Sequence, residues 1–336
     1  MLTGLLTYEL VAGLFTVVLL YLYLHISRKM HWFDPPDESR KLHEIAKPTA
    51  AGLIFMLPLL ALLLTLPAFS YHFNYTVALA LLVFLIMGGI DDFKNISARL
   101  RLIITLLVCA MTLFALFYQS KTSIYLLGIY LIGMIWWINL YNFMDGADGM
   151  AVLHALITMF GYLLAYLFLG DTYLLLSLYA LLFIICLLSF LFFNFPRSKM
   201  FMGDAGSLSV AFMLAVFALY GLIQNHYGVT LIVSFHLVFI IDATLTLLAR
   251  IKYKHKITQA HSLHLYQCLI HKGLSHAKVS ALYALFTVIL VSLALAFHYF
   301  QLDLSLKISI LVLETLVLSF LWLNFHKKNQ FAAFIQ

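Results

Sequence analysis

The chain has 336 residues, of which 64% are hydrophobic and 10% charged, with a formal net charge of +6 and a mean hydropathy of +1.01. That balance leaves no room for a soluble domain and places the chain among polytopic membrane proteins with no nucleic-acid partner. Its cysteines, Cys109, Cys186 and Cys268, are too dispersed for a disulfide framework and read as packing residues.

A membrane-crossing helix needs about 20 mostly apolar residues. Eleven runs meet that measure, near 2–25, 51–68, 75–90, 102–119, 123–139, 151–169, 172–193, 207–224, 228–250, 279–299 and 305–325. The first has no basic residue before it and no small-residue cleavage site, and Arg28 and Lys29 follow it. It therefore reads as a retained helix with its N-terminus outside, not as a signal peptide. Alternate threading predicts one all-α transmembrane domain over 1–336, with cytoplasmic loops 26–50, 91–101, 140–150, 194–206 and 251–278 and a cytoplasmic tail after 326. Of 20 Lys and Arg residues only Lys121 and Lys307 fall outside, leaving 18 inside, and the positive-inside bias supports the same topology.

The outer connections are short: Gly170-Asp171, Gln224 to Gly228, and Gln301 to Leu304. The acidic residues gather in the inner loops, at Asp34, Asp37, Glu38, Glu44, Asp91, Asp92, Asp145, Asp148 and Asp204. No internal repeat and no long linker divides the chain. Within the third run, Gly88-Gly89 leads to Asp91 and Asp92, with Lys94, Asn95, Arg99 and Arg101 beyond. Adjacent carboxylates repel, so two of them beside an apolar phase call for a shared cation, or else form a solvated, salt-bridged helix end. Hard oxygen ligands of this kind suit Mg²⁺ or Mn²⁺.

The stretch from Asn139 to Ala151 is the most polar insertion between apolar runs. Asp145 and Asp148 stand three apart, as do Asn139 and Asn142, and Gly146 and Gly149 let backbone approach a ligand closely. An Asp-rich turn explains the glycines but not two Asn and two Asp in register. Further on, Phe201-Met-Gly-Asp204-Ala-Gly-Ser207 opens the eighth run. Glycines ahead of a helix expose N–H groups to an anion, and Asp204 there is either a metal ligand or an N-cap. Asp242 lies inside the ninth run, where a carboxylate is a functional candidate or is paired with a neighbouring helix. In loop 251–278, His261 and His264 can project together as phosphate donors or a proton shuttle, while His255, His271 and His276 suit a basic loop touching anionic lipid.

Taken in order, Gly89-Ile-Asp91-Asp92, Asn139-x-x-Asn142-x-x-Asp145-Gly-x-Asp148-Gly-Met-Ala, Asn194-Phe-Pro196, Phe201-Met-Gly-Asp204-x-Gly-Ser207 and Ala260-His261-x-x-His264-x-Tyr266-Gln267 resemble the polyprenyl-phosphate N-acetylhexosamine-1-phosphate transferases, glycosyltransferase family 4. The histidine motif with Tyr-Gln, and Asp242-Ala-Thr-Leu-Thr-Leu before it, look most like the bacterial O-antigen-initiating branch. The resemblance implies a Mg²⁺-dependent reaction at the cytoplasmic face of the inner membrane, joining a UDP-N-acetylhexosamine phosphate to undecaprenyl phosphate with release of UMP. By the same resemblance Asp204, with Asp92 as a second ligand, would hold the metal, and Phe201 would stack on uracil. Lys47, Asn139, Asn142, Asp145 and Asp148 would surround the nucleotide and sugar. Asp91, Asp92, His261 and His264 would act in catalysis, with membrane lipid around the enzyme and a homodimer left open.

The chain departs from the family pattern at three places. Lys47-Pro48-Thr49-Ala50-Ala51-Gly52 lacks an arginine and a glycine of the usual first inner loop, and Ala260 replaces a common basic residue. Asn95 stands where the peptidoglycan branch carries lysine. Two other classes fit less well. A transporter or channel with an acidic vestibule would place carboxylates at mid-membrane on several helices, and here only Asp242 and Glu314 lie well inside apolar runs. Phosphatidyltransferases using CDP-alcohols need an arginine and further aspartates after Asp-Gly, and residues 150–170 contain neither.

Overall fold

The computed structural model describes residues 2–30, 32–34, 46–66, 71–118, 125–168, 174–255 and 261–328. Asp37, Glu38, Glu44, Lys121, Gly170, Asp171, Lys256 and Ala260 therefore lie outside the described residues. The elements are α1 (Leu2–Met30), β1 (Phe33–Asp34), β2 (Lys47–Pro48), α2 (Gly52–Phe55), α3 (Leu57–Thr65), α4 (Tyr71–Phe93), α5 (Ala98–Tyr118) and α6 (Tyr125–Phe143). They continue as α7 (Met150–Leu167), α8 (Leu174–Asn194), α9 (Gly203–Ile223), α10 (Val229–Lys252), α11 (Leu265–His271), α12 (His276–Tyr299) and α13 (Leu304–Lys328). Within lipid every backbone N–H and C=O must be bonded inside the segment, and the apolar runs accordingly become helices. Among the described residues strand appears only where β1 pairs antiparallel with β2, Phe33 opposite Pro48.

Among the described residues ten helices, not eleven, are long and apolar enough to cross a bilayer: α1, α4 to α10, α12 and α13. The run expected over 51–68 is the exception, since it breaks at Met56 into α2 and α3 with Pro58 in the first turn of α3. Proline lacks an N–H and starts a helix more readily than it continues one. Residues 52–65 cover about 21 Å at 1.5 Å per residue, short of the ~30 Å hydrocarbon layer. The pair still runs from one end of the bundle to the other. Gly52 N–H donates to Met202 O at 3.0 Å at its start, and the Asn74 amide donates to Leu63 O near its finish.

Helix α9 is buried along nearly its whole length, whereas α1, α6 and α13 turn most of their surface outward. Close packing around α9 needs small residues, as in membrane bundles generally. A Cβ on Gly52 of α2 or Gly88 of α4 would collide with the α9 backbone at Asp204 to Gly206. Mid-bundle, the buried imidazoles of His154 and His236 bond each other at 3.1 Å. Thr287 and Tyr162 complete the set at 3.3 and 3.1 Å. In this set, each buried imidazole finds hydrogen-bond partners within the bundle.

Candidate active site

The C-terminal ends of α1, α4, α6, α8, α10 and α13 meet the starts of α2, α5, α7, α9 and α12 at one end of the bundle. Tyr23 near the end of α1 donates to Thr49 O at 2.5 Å, and the Thr49 hydroxyl donates to Asp92 Oδ1 at 3.3 Å. Pro48 O accepts from Phe201 N–H at 2.7 Å, and Ala51 N–H donates to Phe201 O at 3.2 Å. Segment 47–52 is thereby laced to the start of α9.

Asp91 and Asp92 stand on the last turn of α4 and face different tasks. Asp92 receives the Asp204 N–H at 2.8 Å on Oδ1 and the Ala205 N–H at 3.2 Å on Oδ2. The anion at the start of α9 is therefore Asp92 itself, so these N–H groups are not left for a ligand as the glycine pattern suggested. Gly203 makes this approach feasible: its φ is +70°, and a Cβ there would strike the Asp92 carboxylate. Asp91 accepts from Ile96 N–H at 2.6 Å. Its other oxygen takes Arg101 Nη1 at 2.8 Å, and the same nitrogen reaches Asp204 Oδ2 at 2.9 Å. One guanidinium of α5 thus bridges a carboxylate of α4 and one of α9.

The loop from α6 to α7 closes the cluster from the other side. Asn142 Oδ1 accepts from Ser207 Oγ at 2.5 Å, which fixes the end of α6 to α9. Burial, then the charges of Asp204 and Asp92, push the Asp145 carboxyl well above the ordinary carboxylate range. Asp148, three residues on, is held by a separate knot. Its Oδ2 accepts Ser198 N–H at 3.1 Å, and its Oδ1 lies 3.4 Å from Lys47 Nζ and 3.9 Å from His276 Nδ1. His276 is held at the site end, where its Nδ1 accepts the Asp148 N–H at 3.3 Å. Lys47 Nζ also sits 5.0 Å from the centre of the Phe201 ring. Asn139 turns its amide back to Ile135 O at 2.8 Å on its own helix, one turn from Asn142.

The histidine segment lies against the same loop. His261 and His264 have ring centres 4.9 Å apart, and His264 lies 6.2 Å from Phe143. Tyr266 reaches across to donate to Phe143 O at 3.0 Å. The structure thus brings Asp91, Asp92, Asp145 and Asp204 together, with Lys47, Asp148 and Phe201 as a neighbouring group and the histidines on the far wall. Three residues that the motif reading named without giving them a role complete it: Arg101, Thr49 and Asn194. Asn194 accepts Gly149 N–H at 2.9 Å and donates to Met200 O at 3.0 Å, joining the two glycine-bearing loops. The one available signal for Arg101 was a cation ten residues after an aspartate across a turn.

A multi-pass membrane protein with clustered carboxylates at one end of its bundle is the class that fold and site define. Residues 74–222 match the model of glycosyl transferase family 4. A probable undecaprenyl-phosphate N-acetylglucosaminyl 1-phosphate transferase of Bacillus subtilis is 27% identical over 280 residues, covering 79% of this chain and 77% of the relative. A phospho-N-acetylmuramoyl-pentapeptide-transferase of Deinococcus radiodurans is 31% identical over 243 residues, covering 62% of this chain and 74% of the relative. A Streptococcus pneumoniae protein of the latter name is 29% identical over 194 residues, 51% of this chain and 59% of its own. The chain belongs to glycosyl transferase family 4, the polyprenyl-phosphate N-acetylhexosamine-1-phosphate transferases.

Proposed function

We propose that this protein transfers N-acetylhexosamine 1-phosphate from a UDP-sugar to undecaprenyl phosphate at the cytoplasmic face of a bacterial inner membrane, releasing UMP. The observation that carries the reading is the meeting of four carboxylates at the end of the bundle where the basic loops lie: Asp91 and Asp204 share Arg101, Asp92 binds the first N–H groups of α9, and Asp145 lies close enough to feel the charges of Asp204 and Asp92. The printed names of the relatives support the transferred group and the lipid acceptor. Asn95 in place of a lysine, and the Tyr266-Gln267 pair after His264, favour a product destined for O-antigen or a related cell-surface polysaccharide.

Four carboxylates against one guanidinium leave an excess of hard oxygen donors, which suits Mg²⁺, or Mn²⁺ in its place. Among the described residues no three Asp, Glu, His or Cys side chains stand as a ready ligand cage, because Arg101 occupies the ground between Asp91 and Asp204. Asp204, 28% exposed where Asp91 is 7%, faces the open side and would hold the ion together with Asp92. When bound, the ion would supply charge stabilisation to the departing UMP.

The remaining chemistry belongs to the chain. Lys47 beside Phe201 offers a ring for a base and an ammonium for a phosphate. Arg101 supplies positive charge where two anionic reactants must meet. An oxygen of the lipid phosphate bonds to the β-phosphorus of the UDP-sugar as the bond to the UMP oxygen breaks. A phosphate monoester has its second pKa at about 6, so the nucleophile is mostly ionised at neutral pH without a strong base. An ionised lipid phosphate attacks directly, so the proposed reaction is one displacement and needs no aspartyl intermediate. To test the reading, membranes containing the protein are incubated with undecaprenyl phosphate, Mg²⁺ and each UDP-N-acetylhexosamine in turn. A lipid product of the matching mass is expected, and its absence with every sugar would overturn the assignment.

A further inference from the structure

The strongest unexplained group outside the acidic cluster is Asp242, a carboxylate inside the membrane-spanning part of α10 and 2% exposed. A charged group at that depth persists only where the protein supplies donors for both oxygens. Oδ1 accepts Leu265 N–H at 2.7 Å, with Thr246 Oγ1 at 3.3 Å and Trp322 Nε1 at 3.4 Å. Oδ2 accepts Tyr283 Oη at 2.7 Å and Tyr266 N–H at 3.3 Å. These donors come from α10, α11, α12 and α13, so one side chain joins four helices.

Two of these donors are backbone N–H groups of the first residues of α11, immediately after His264. Tyr266 carries the connection onward. Its hydroxyl donates to Phe143 O, between Asn142 and Asp145, and it packs so closely on Gly146 that a Cβ there would meet the phenol oxygen. From these contacts we infer that Asp242 is a positioning residue for the transfer reaction: it pins the start of α11, and through Tyr266 it sets the histidine pair against the Asp145 loop. The inference rests on the transferase reading for its functional half, while its structural half stands on these bonds alone.

A further consequence concerns α13, which turns most of its surface outward. Trp322 binds Asp242, and Lys272 Nζ lies 4.8 Å from the centre of the Phe325 ring. Helix α13 thus braces the histidine segment from outside.

The test measures hydrogen–deuterium exchange over 261–271 and steady-state turnover on the full-length protein in lipid nanodiscs, with Asp242→Asn, Tyr283→Phe and Trp322→Phe compared with the unaltered chain. Asparagine places a donor where donors already point. Exchange at Leu265 and Tyr266 should therefore rise about 10- to 100-fold in Asp242→Asn, and kcat should fall about tenfold or more with a smaller change in KM for the UDP-sugar. Tyr283→Phe and Trp322→Phe, each removing one donor, should show the same pattern severalfold, and they carry the test if Asp242→Asn does not insert. Unaltered exchange at 265–266, or raised exchange with unaltered kcat, would overturn the inference. Exchange is read without turnover, so failure of the unaltered chain to transfer any sugar would sink the transferase reading separately.

Discussion

Asp242 and Asp204 are both carboxylates on helices that cross the membrane, and they are opposites in how they are satisfied. Among the described residues Asp242 takes five donors from four helices, and it is closed to solvent. Asp204 takes the Arg101 guanidinium, sits beside the like charges of Asp91 and Asp92, and keeps 28% of its side chain exposed. Burial near lipid is costly in both places. One site meets the cost with fixed dipoles, whereas the other leaves it partly unmet and 28% exposed, which is why the proposed cation is placed there. Acidity in a membrane protein is therefore read by counting donors, not carboxylates.

The comparison is broken most severely at Asp204. Asp204→Asn should lower kcat at least about a thousandfold while leaving the protein folded, since it removes charge needed only when the ligand is present. Normal expression and a normal Tm with residual turnover near background would bear this out. Arg101→Ala comes next: with chelator present it should lower Tm by about 2–4 °C, because it unmasks repulsion between Asp91 and Asp204. Added Mg²⁺ should recover most of that loss, measured by thermal scans of detergent-purified protein, whereas equal destabilisation with and without Mg²⁺ would show that Arg101 and the ion do not share ground.

A smaller effect of opposite sign is expected at Asp145. Its pKa in the folded protein is raised above the unfolded value, first by burial and then by Asp204 and Asp92. The folded state therefore binds more protons than the unfolded one at intermediate pH, and its stability falls as pH rises toward the folded pKa. Asp145→Asn should thus raise Tm by about 2 °C at pH 7.5 in chelator. The gain should shrink as the pH is lowered, because protonated Asp145 and asparagine are alike in charge. A gain that grows on acidification would contradict the cause given. The smallest change is expected at Asp148→Asn, whose knot with Ser198, Lys47 and His276 lies beside the carboxylate cluster. It should cost about tenfold in kcat/KM, with a fall in Tm from loss of the Lys47 contact.

Much of this was legible before any coordinate. The apolar runs and the loop side of Asp91, Asp92, Asp145, Asp148 and Asp204 follow from composition and alternation, because lipid allows so few backbone solutions. The run over 51–68 was legible as an apolar segment but not as two helices, because hydropathy does not register the break at Met56 with Pro58 beyond it. What remained hidden were partnerships between distant segments. Nothing in the string says that Asp92 receives the first N–H groups of α9, that Arg101 lies between Asp91 and Asp204, or that His276 is drawn from a basic loop to Asp148. Asp242 was visible only as a carboxylate at an unusual depth, and its donors come from as far as Trp322.

One measurement bears most directly on the acidic cluster: UMP released from a UDP-N-acetylhexosamine, followed in the presence and absence of undecaprenyl phosphate, Mg²⁺ and the Asp204 carboxylate. The expected result is release that needs all three, so that omitting the lipid, chelating the metal or substituting Asp204→Asn each brings it to background. UMP release that persists without the lipid phosphate, or with Asp204→Asn in place, would contradict a single displacement organised by these carboxylates.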